Sequence, residues 1–208
     1  MAGQLRLPTR SLAVCAALLA CAACASDPDA PLADPLAGYE QVQPAVAATP
    51  SAAASTFPGE RVERGQYLVD LLGCGSCHTD GALLGEPNGE RLLAGSAVGI
   101  ATSSPMQVRR PGVVFPSNLT PDPGTGIGNW TLQQIVAFLQ SGVDRHGSES
   151  LPIMPFMTYS RLQAADAEAV AMYLKSLPPV VHRVPAKVSP GQRTRAPYVH
   201  FGVYRSAQ

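Results

Sequence analysis

The run Cys74-Gly75-Ser76-Cys77-His78 constrains this chain more than any other five of its residues. Two thiols three positions apart, with an imidazole directly behind the second, have few structural uses. A thioredoxin-like Cys-x-x-Cys belongs with a βαβ pattern, and none surrounds this one. A structural zinc site needs two more ligands at matching spacing, whereas His146, His182 and His200 are scattered. A disulfide framework uses several spaced pairs; Cys15, Cys21 and Cys24 all precede the part of the chain with globular patterning. What remains is the haem-attachment signature, in which each thiol forms a thioether to one porphyrin vinyl group and the next residue is directed at the iron. Cys74 and Cys77 are therefore expected to hold one covalent haem c, with His78 as the proximal iron ligand.

The N-terminus agrees with that chemistry. Arg6 and Arg10 form a positive region ahead of the short apolar stretch Ser11 to Ala20. That stretch falls short of the about 20 apolar residues a membrane-crossing helix needs, and reads as an export signal. Leu18-Leu19-Ala20-Cys21 resembles a bacterial lipobox, which makes 1–20 a lipoprotein-type signal and Cys21 a lipid anchor; Ala23-Cys24-Ala25 offers an ordinary cleavage site, which makes the signal 1–25. The expected location is the periplasmic side of a bacterial membrane, anchored at Cys21, or else the soluble periplasm. Residues 21–58 carry Pro28, Pro31, Pro35, Pro44, Pro50 and Pro58 among many alanines, the composition of a flexible tether.

Overall charge is balanced, with 15 basic and 15 acidic residues, and gives no footing for a nucleic-acid partner. Its distribution is uneven. No acid follows Glu168, while Arg183, Lys187, Arg193 and Arg195 crowd the segment 183–208. That basic tail is either a solvated end or a docking element for an acidic redox partner or anionic lipid.

Between them, 59–182 reads as a helical domain. From Glu60 to Leu72, Val62, Gly65, Leu68, Val69 and Leu72 follow helical spacing, and Glu60 is placed to pair with Arg64. A second helix is expected from Leu132 to Ser141, with Thr131 and Gln134 at capping-box spacing and Gly142 as its stop. A third is expected from Ala164 to Ser176, ended by Pro178-Pro179. From Thr79 to Asn129 Gly and Pro recur every few residues, and Gly95 to Ile100 could form at most a short extended piece. So long an irregular connection is unusual unless something fills the core for it, and a haem would.

Gly65-Gln66-Tyr67-Leu68-Val69, leading into Cys74 and His78, resembles the haem domains of class I cytochromes c. Asn118-Leu119-Thr120-Pro121-Asp122, Thr125 to Trp130, Leu151 to Phe156 followed by Tyr159, and Tyr173 to Pro179 are similar to segments of cytochrome subunits of bacterial membrane-bound dehydrogenases. The resemblance spans about Gly59 to Val180. It implies an all-α, cytochrome c-like fold around one haem, with the first and last helices crossing where Gly65 lets Tyr173 approach. It also implies Met154, in the Met154-Pro155-Phe156 turn, as the distal iron ligand. Met157 is the local rival, Met106 the distant one, and Met172 has the spacing of a packing residue. Gln163 departs from the pattern where Ser or Thr often caps the last helix.

The implied function is electron transfer by a monohaem carrier with His/Met-ligated iron, not an enzyme by itself. Its expected partner is a dehydrogenase catalytic subunit or another cytochrome, between a membrane donor and a downstream acceptor. The alternative is a haem enzyme or a sensor of gas or peroxide, with an open sixth coordination position.

Overall fold

Gly65 is where the two longest helices meet. In this computed structural model, which describes residues 39–102, 110–143 and 153–201, helix α1 (Gly59–Leu71) buries Val62, Gly65, Leu68 and Val69. These are the i, i+3, i+4 positions of one helical face. Helix α5 (Ala164–Lys175) buries Ala167, Ala169, Val170, Ala171, Tyr173 and Leu174. A Cβ at Gly65 would lie 2.7 Å from the Tyr173 Cβ and nearer still to the Ala169 carbonyl oxygen, so the expected close approach is present. The crossing also corrects the expected Glu60–Arg64 pair. Arg64 Nε reaches Asp166 of α5 at 2.9 Å, and Arg61 reaches Glu168 at 3.0 Å. The two acids stand at the start of α5, within reach of both guanidinium groups. Such exposed pairs add at most about 1 kcal/mol each; they orient the crossing, which apolar burial holds.

Between the short helix α2 (Cys74–His78) and α5 lie α3 (Leu132–Ser141) and α4 (Phe156–Tyr159). The capping box on α3 forms as expected: Thr131 Oγ1 accepts from the Gln134 N–H at 3.1 Å, and Gln134 Oε1 accepts from the Thr131 N–H at 2.9 Å. Gly142 caps its far end. Ile135 and Leu139 of α3 join Val62, Leu68, Val69, Val170, Tyr173 and Leu174 in the main apolar cluster. Gln163 contributes no side-chain cap to α5.

The fold is mainly helical, and the connection between α2 and α3 adds a little sheet. Strand β1 (Gly99–Ala101) pairs antiparallel with β2 (Val113–Val114), Ile100 opposite Val114, and parallel with β3 (Tyr198–His200), Ile100 opposite Val199. Leu83, Val98 and Ile100 form a second apolar cluster, against which Cys77, Val114, Ile153 and Val199 pack.

The described ends of the chain run along this body. Val188 exchanges two backbone bonds with Val113, at 2.8 and 2.9 Å, ahead of β3. In the segment expected as tether, the Ala45 N–H donates to Ala82 and the Ala53 N–H to Ser176, both at 2.8 Å. The Tyr173 hydroxyl donates to the Pro50 carbonyl, and Ala47 is buried. Backbone groups laid over a domain find partners there. No helix among the described residues is long and apolar enough to cross a membrane. The proposed signal and anchor in 1–38, Met106, His146 and residues 202–208 lie outside the described residues.

Gly65→Ala must push α1 off α5. Overpacking of this kind costs about 1–3 kcal/mol, so denaturant unfolding of the haem-loaded protein should show a loss of that size with an unchanged visible spectrum.

Candidate functional site

The chain leaves α1 and turns at Gly73 directly into α2, so the α1–α5 crossing sets where Cys74, Cys77 and His78 emerge. Cys74 packs against the helical cluster and Cys77 against the sheet-side cluster, which puts the two sulfurs between the two halves of the core. Both are free thiols. Burial pushes the Cys74 thiol up to about 12 and raises Cys77 as well.

His78 is 7% exposed. Its Nδ1 lies 2.7 Å from the Ser117 carbonyl oxygen, which can only accept, so Nδ1 carries the proton and donates. Burial lowers the affinity of the ring for a second proton, outweighing the opposing effect of that bond. The imidazole is thus neutral, with the Nε2 lone pair available and no hydrogen-bond partner for it among the described residues. Neutral His with one nitrogen anchored to a carbonyl is the form that ligates a metal.

The loops behind this ring are closely locked. The Gly95 N–H donates to the His78 carbonyl at 2.8 Å. Gly95 has φ +87°, and a Cβ there would meet the Asn118 nitrogen at 2.8 Å and the Pro116 carbonyl oxygen at 2.9 Å; only glycine fits both conditions. Asp80 accepts from the Ala97 N–H at 2.8 Å and from Arg91 at 2.7 Å, while His182 Nδ1 meets the Ala94 carbonyl at 2.9 Å.

Met154 is half-buried, and the preceding Ile153 packs in the cluster that Cys77 joins. Its carbonyl accepts from the Phe156 N–H at 2.8 Å, and the Phe156 ring stands edge-on to Phe138 with centroids 5.4 Å apart. Met157 is 85% exposed and lies on the solvent side of the same turn. Met172 sits on α5.

One participant carries no sequence signal strong enough to find it. Ser117 acts through its backbone carbonyl, which every residue possesses. Tyr159 is 6% exposed, and its hydroxyl has no partner among the described residues. Burial, and then the nearby Cys74 and Cys77 sulfurs, push that phenol up to about 12, so it is a neutral donor close to the thiols. Its clue in the sequence was its place just after the family-like segment Leu151 to Phe156.

Two thiols for covalent attachment, a neutral imidazole with a free Nε2, and the half-buried Met154 in the turn after Ile153 fit a haem c. Among the described residues no cluster of three or more His, Cys, Asp or Glu residues that could hold a metal ion occurs.

The profile of the family described as Cytochrome c matches residues 62–178. The chain is 34% identical over 120 residues to the "Alcohol dehydrogenase (quinone), cytochrome c subunit" of Gluconobacter oxydans, covering 57% of this chain and 22% of that protein. It is 32% identical over 137 residues to the "Fructose dehydrogenase cytochrome subunit" of Gluconobacter japonicus, covering 66% and 24%. It is 28% identical over 116 residues to a "Diheme cytochrome c-type" protein of Cereibacter sphaeroides, covering 56% and 36%. The chain thus spans about a quarter of the length of the two dehydrogenase subunits it matches.

One pH dependence follows from the loop that presents Ser117. The Thr125 hydroxyl, despite the counteracting burial, holds the Asp122 carboxyl below its usual range, helped by the Thr125 and Gly124 N–H groups. A depressed folded-state pKa means that this contribution is complete above the ordinary Asp value of about 3.9 and is lost as pH falls through the folded value. Asp122→Asn should therefore lower stability at neutral pH and converge with wild type in acid, measured by denaturant unfolding across a pH series. A constant offset at all pH values would contradict this.

Proposed function

The chain belongs to the cytochrome c family, and on that footing we propose that it is a monohaem electron carrier with His/Met-ligated iron. The observation that carries the reading is His78: a buried, neutral imidazole anchored at Nδ1 and open at Nε2, one position after Cys77. Cys74 and Cys77 hold the group by thioethers, and the Ser117 carbonyl fixes the orientation of the proximal ring. When bound, haem iron supplies one-electron chemistry between Fe(II) and Fe(III). One haem is proposed because the chain has one Cys-x-x-Cys-His run, although one of its relatives is named a dihaem protein.

Met154 closes the sixth position. Pro155 stiffens the turn, Phe156 packs on Phe138, and Ile153 ties the turn to the side of Cys77. A thioether in that place raises the reduction potential and leaves no open site for dioxygen, which favours a carrier over a gas or peroxide sensor.

Relatives named as cytochrome subunits of alcohol and fructose dehydrogenases support a dehydrogenase as electron donor. The electron-carrying role without substrate conversion belongs to the same reading, as does export to the periplasmic side with a lipid anchor at Cys21. Arg183, Lys187, Arg193 and Arg195 are all exposed, on a segment fixed to the domain by Val188 and β3. They supply complementary charge for an acidic partner, which accelerates encounter without tight binding.

Met154→Ala should abolish the sulfur-to-iron charge-transfer absorption of the oxidised protein and let the reduced protein bind carbon monoxide. Met157→Ala, altering a side chain on the solvent side, should do neither. Carbon monoxide binding by the reduced wild-type protein would instead favour the open-site sensor or enzyme.

A further inference from the structure

The bond that orients His78 ends on a backbone carbonyl, so whatever directs that carbonyl governs the bond. The Ser117 carbonyl and the Asn118 nitrogen belong to one planar peptide unit, and turning one turns the other. Asn118 is 1% exposed. Its Nδ2 donates to the Val180 carbonyl at 2.8 Å and to Thr125 Oγ1 at 3.0 Å. Its Oδ1 accepts from the Thr120 N–H at 2.9 Å and from the Thr120 hydroxyl at 2.8 Å. Thr120 Oγ1 in turn accepts from the Val180 N–H at 3.1 Å. A carbonyl on one side and an N–H on the other admit only one amide orientation. Both side-chain polar atoms are thus committed to the loop or to the segment that follows α5.

The same peptide unit is pinned from its other face. Gly95, whose N–H bonds the His78 carbonyl, packs against the Asn118 nitrogen. The flanking residues are held as well: the Ser96 N–H donates to Pro116 at 3.0 Å and the Leu119 N–H to Leu93 at 2.9 Å.

We propose that Asn118 is a positioning residue that sets the strength of the His78-to-Ser117 hydrogen bond and, through it, the reduction potential of the haem iron. The inference rests on the reading of His78 as iron ligand. A strong bond from Nδ1–H makes the imidazole a better donor at Nε2, which favours the more positively charged, oxidised iron. Freeing the peptide unit lengthens that bond, weakens the donor and moves the potential upward. A buried Asn that served only the loop would have no such effect.

Equilibrium redox titration of the haem-loaded protein tests this. Asn118→Ala should raise the midpoint potential, and Thr120→Val, which keeps the shape but removes the hydroxyl bridge to Asn118 and Val180, should raise it less. The His78 Nδ1 proton resonance of the reduced protein should shift upfield in the same order. Ile135→Val, which thins the core on α3, should leave both readings at wild type. Should Asn118→Ala fail to fold, Thr120→Val carries the test. Wild-type potentials in the folded variants, or an equal rise in Ile135→Val, would overturn the role of Asn118. A wild-type spectrum surviving in His78→Ala would instead overturn the ligand reading on which it rests.

Discussion

The backbones of α1 and α5 come so close at Gly65 that a single methyl group would collide with the Ala169 carbonyl and the Tyr173 Cβ. The rest of the molecule takes its position from that crossing. Because only Leu72 and Gly73 separate the end of α1 from the start of α2, the direction of α1 sets the directions of Cys74, Cys77 and His78. The α3 helix, Leu93 and Ile127 then fill the space around Tyr173 and Leu174, which closes one side of the site.

The other side is built from backbone rather than from helices. The described residues between 79 and 129 run in turns, short 3-10 helices and short strands, and their polar groups pair with one another and with the segments before and after them. Leu93, fully buried, adopts φ +56°, a conformation that disfavours side chains. It is kept there because the Thr79 hydroxyl accepts from its N–H and its carbonyl accepts from Leu119. Such strain persists where the surroundings over-determine it. Here the surroundings are the loop that carries His78 and the loop that carries Ser117, so the irregular half of the fold works as a rigid clamp on one imidazole.

This division explains what could be read from the chain. The three long helices and the Thr131–Gln134 cap depend on neighbours within a turn and stand where periodicity puts them, whereas the Gly65 approach is a long-range contact that only the family resemblance implied. The Cys74 to His78 run is equally local. Arg64 shows the limit: its local partner was Glu60, but the chain brought Asp166 nearer. The Ser117 carbonyl acquires its role only through long-range closure, for which the residue has no distinguishing pattern. The Ala- and Pro-rich stretch before α1 looks like a spacer because it lacks large apolar groups. Yet a small residue such as Ala47 fits beside Gly75, where little room exists.

A buried neutral histidine, two half-buried thiols and a proline-stiffened methionine turn make sense together if one haem joins them. Covalent attachment is the claim on which electron transfer by this chain depends. The most direct measurement is the intact mass of the haem-loaded protein, denatured in acidified organic solvent. The account predicts the mass of the polypeptide plus a single haem, with the visible absorption staying on the polypeptide. A bare chain, with the colour extracted into the solvent, would contradict it.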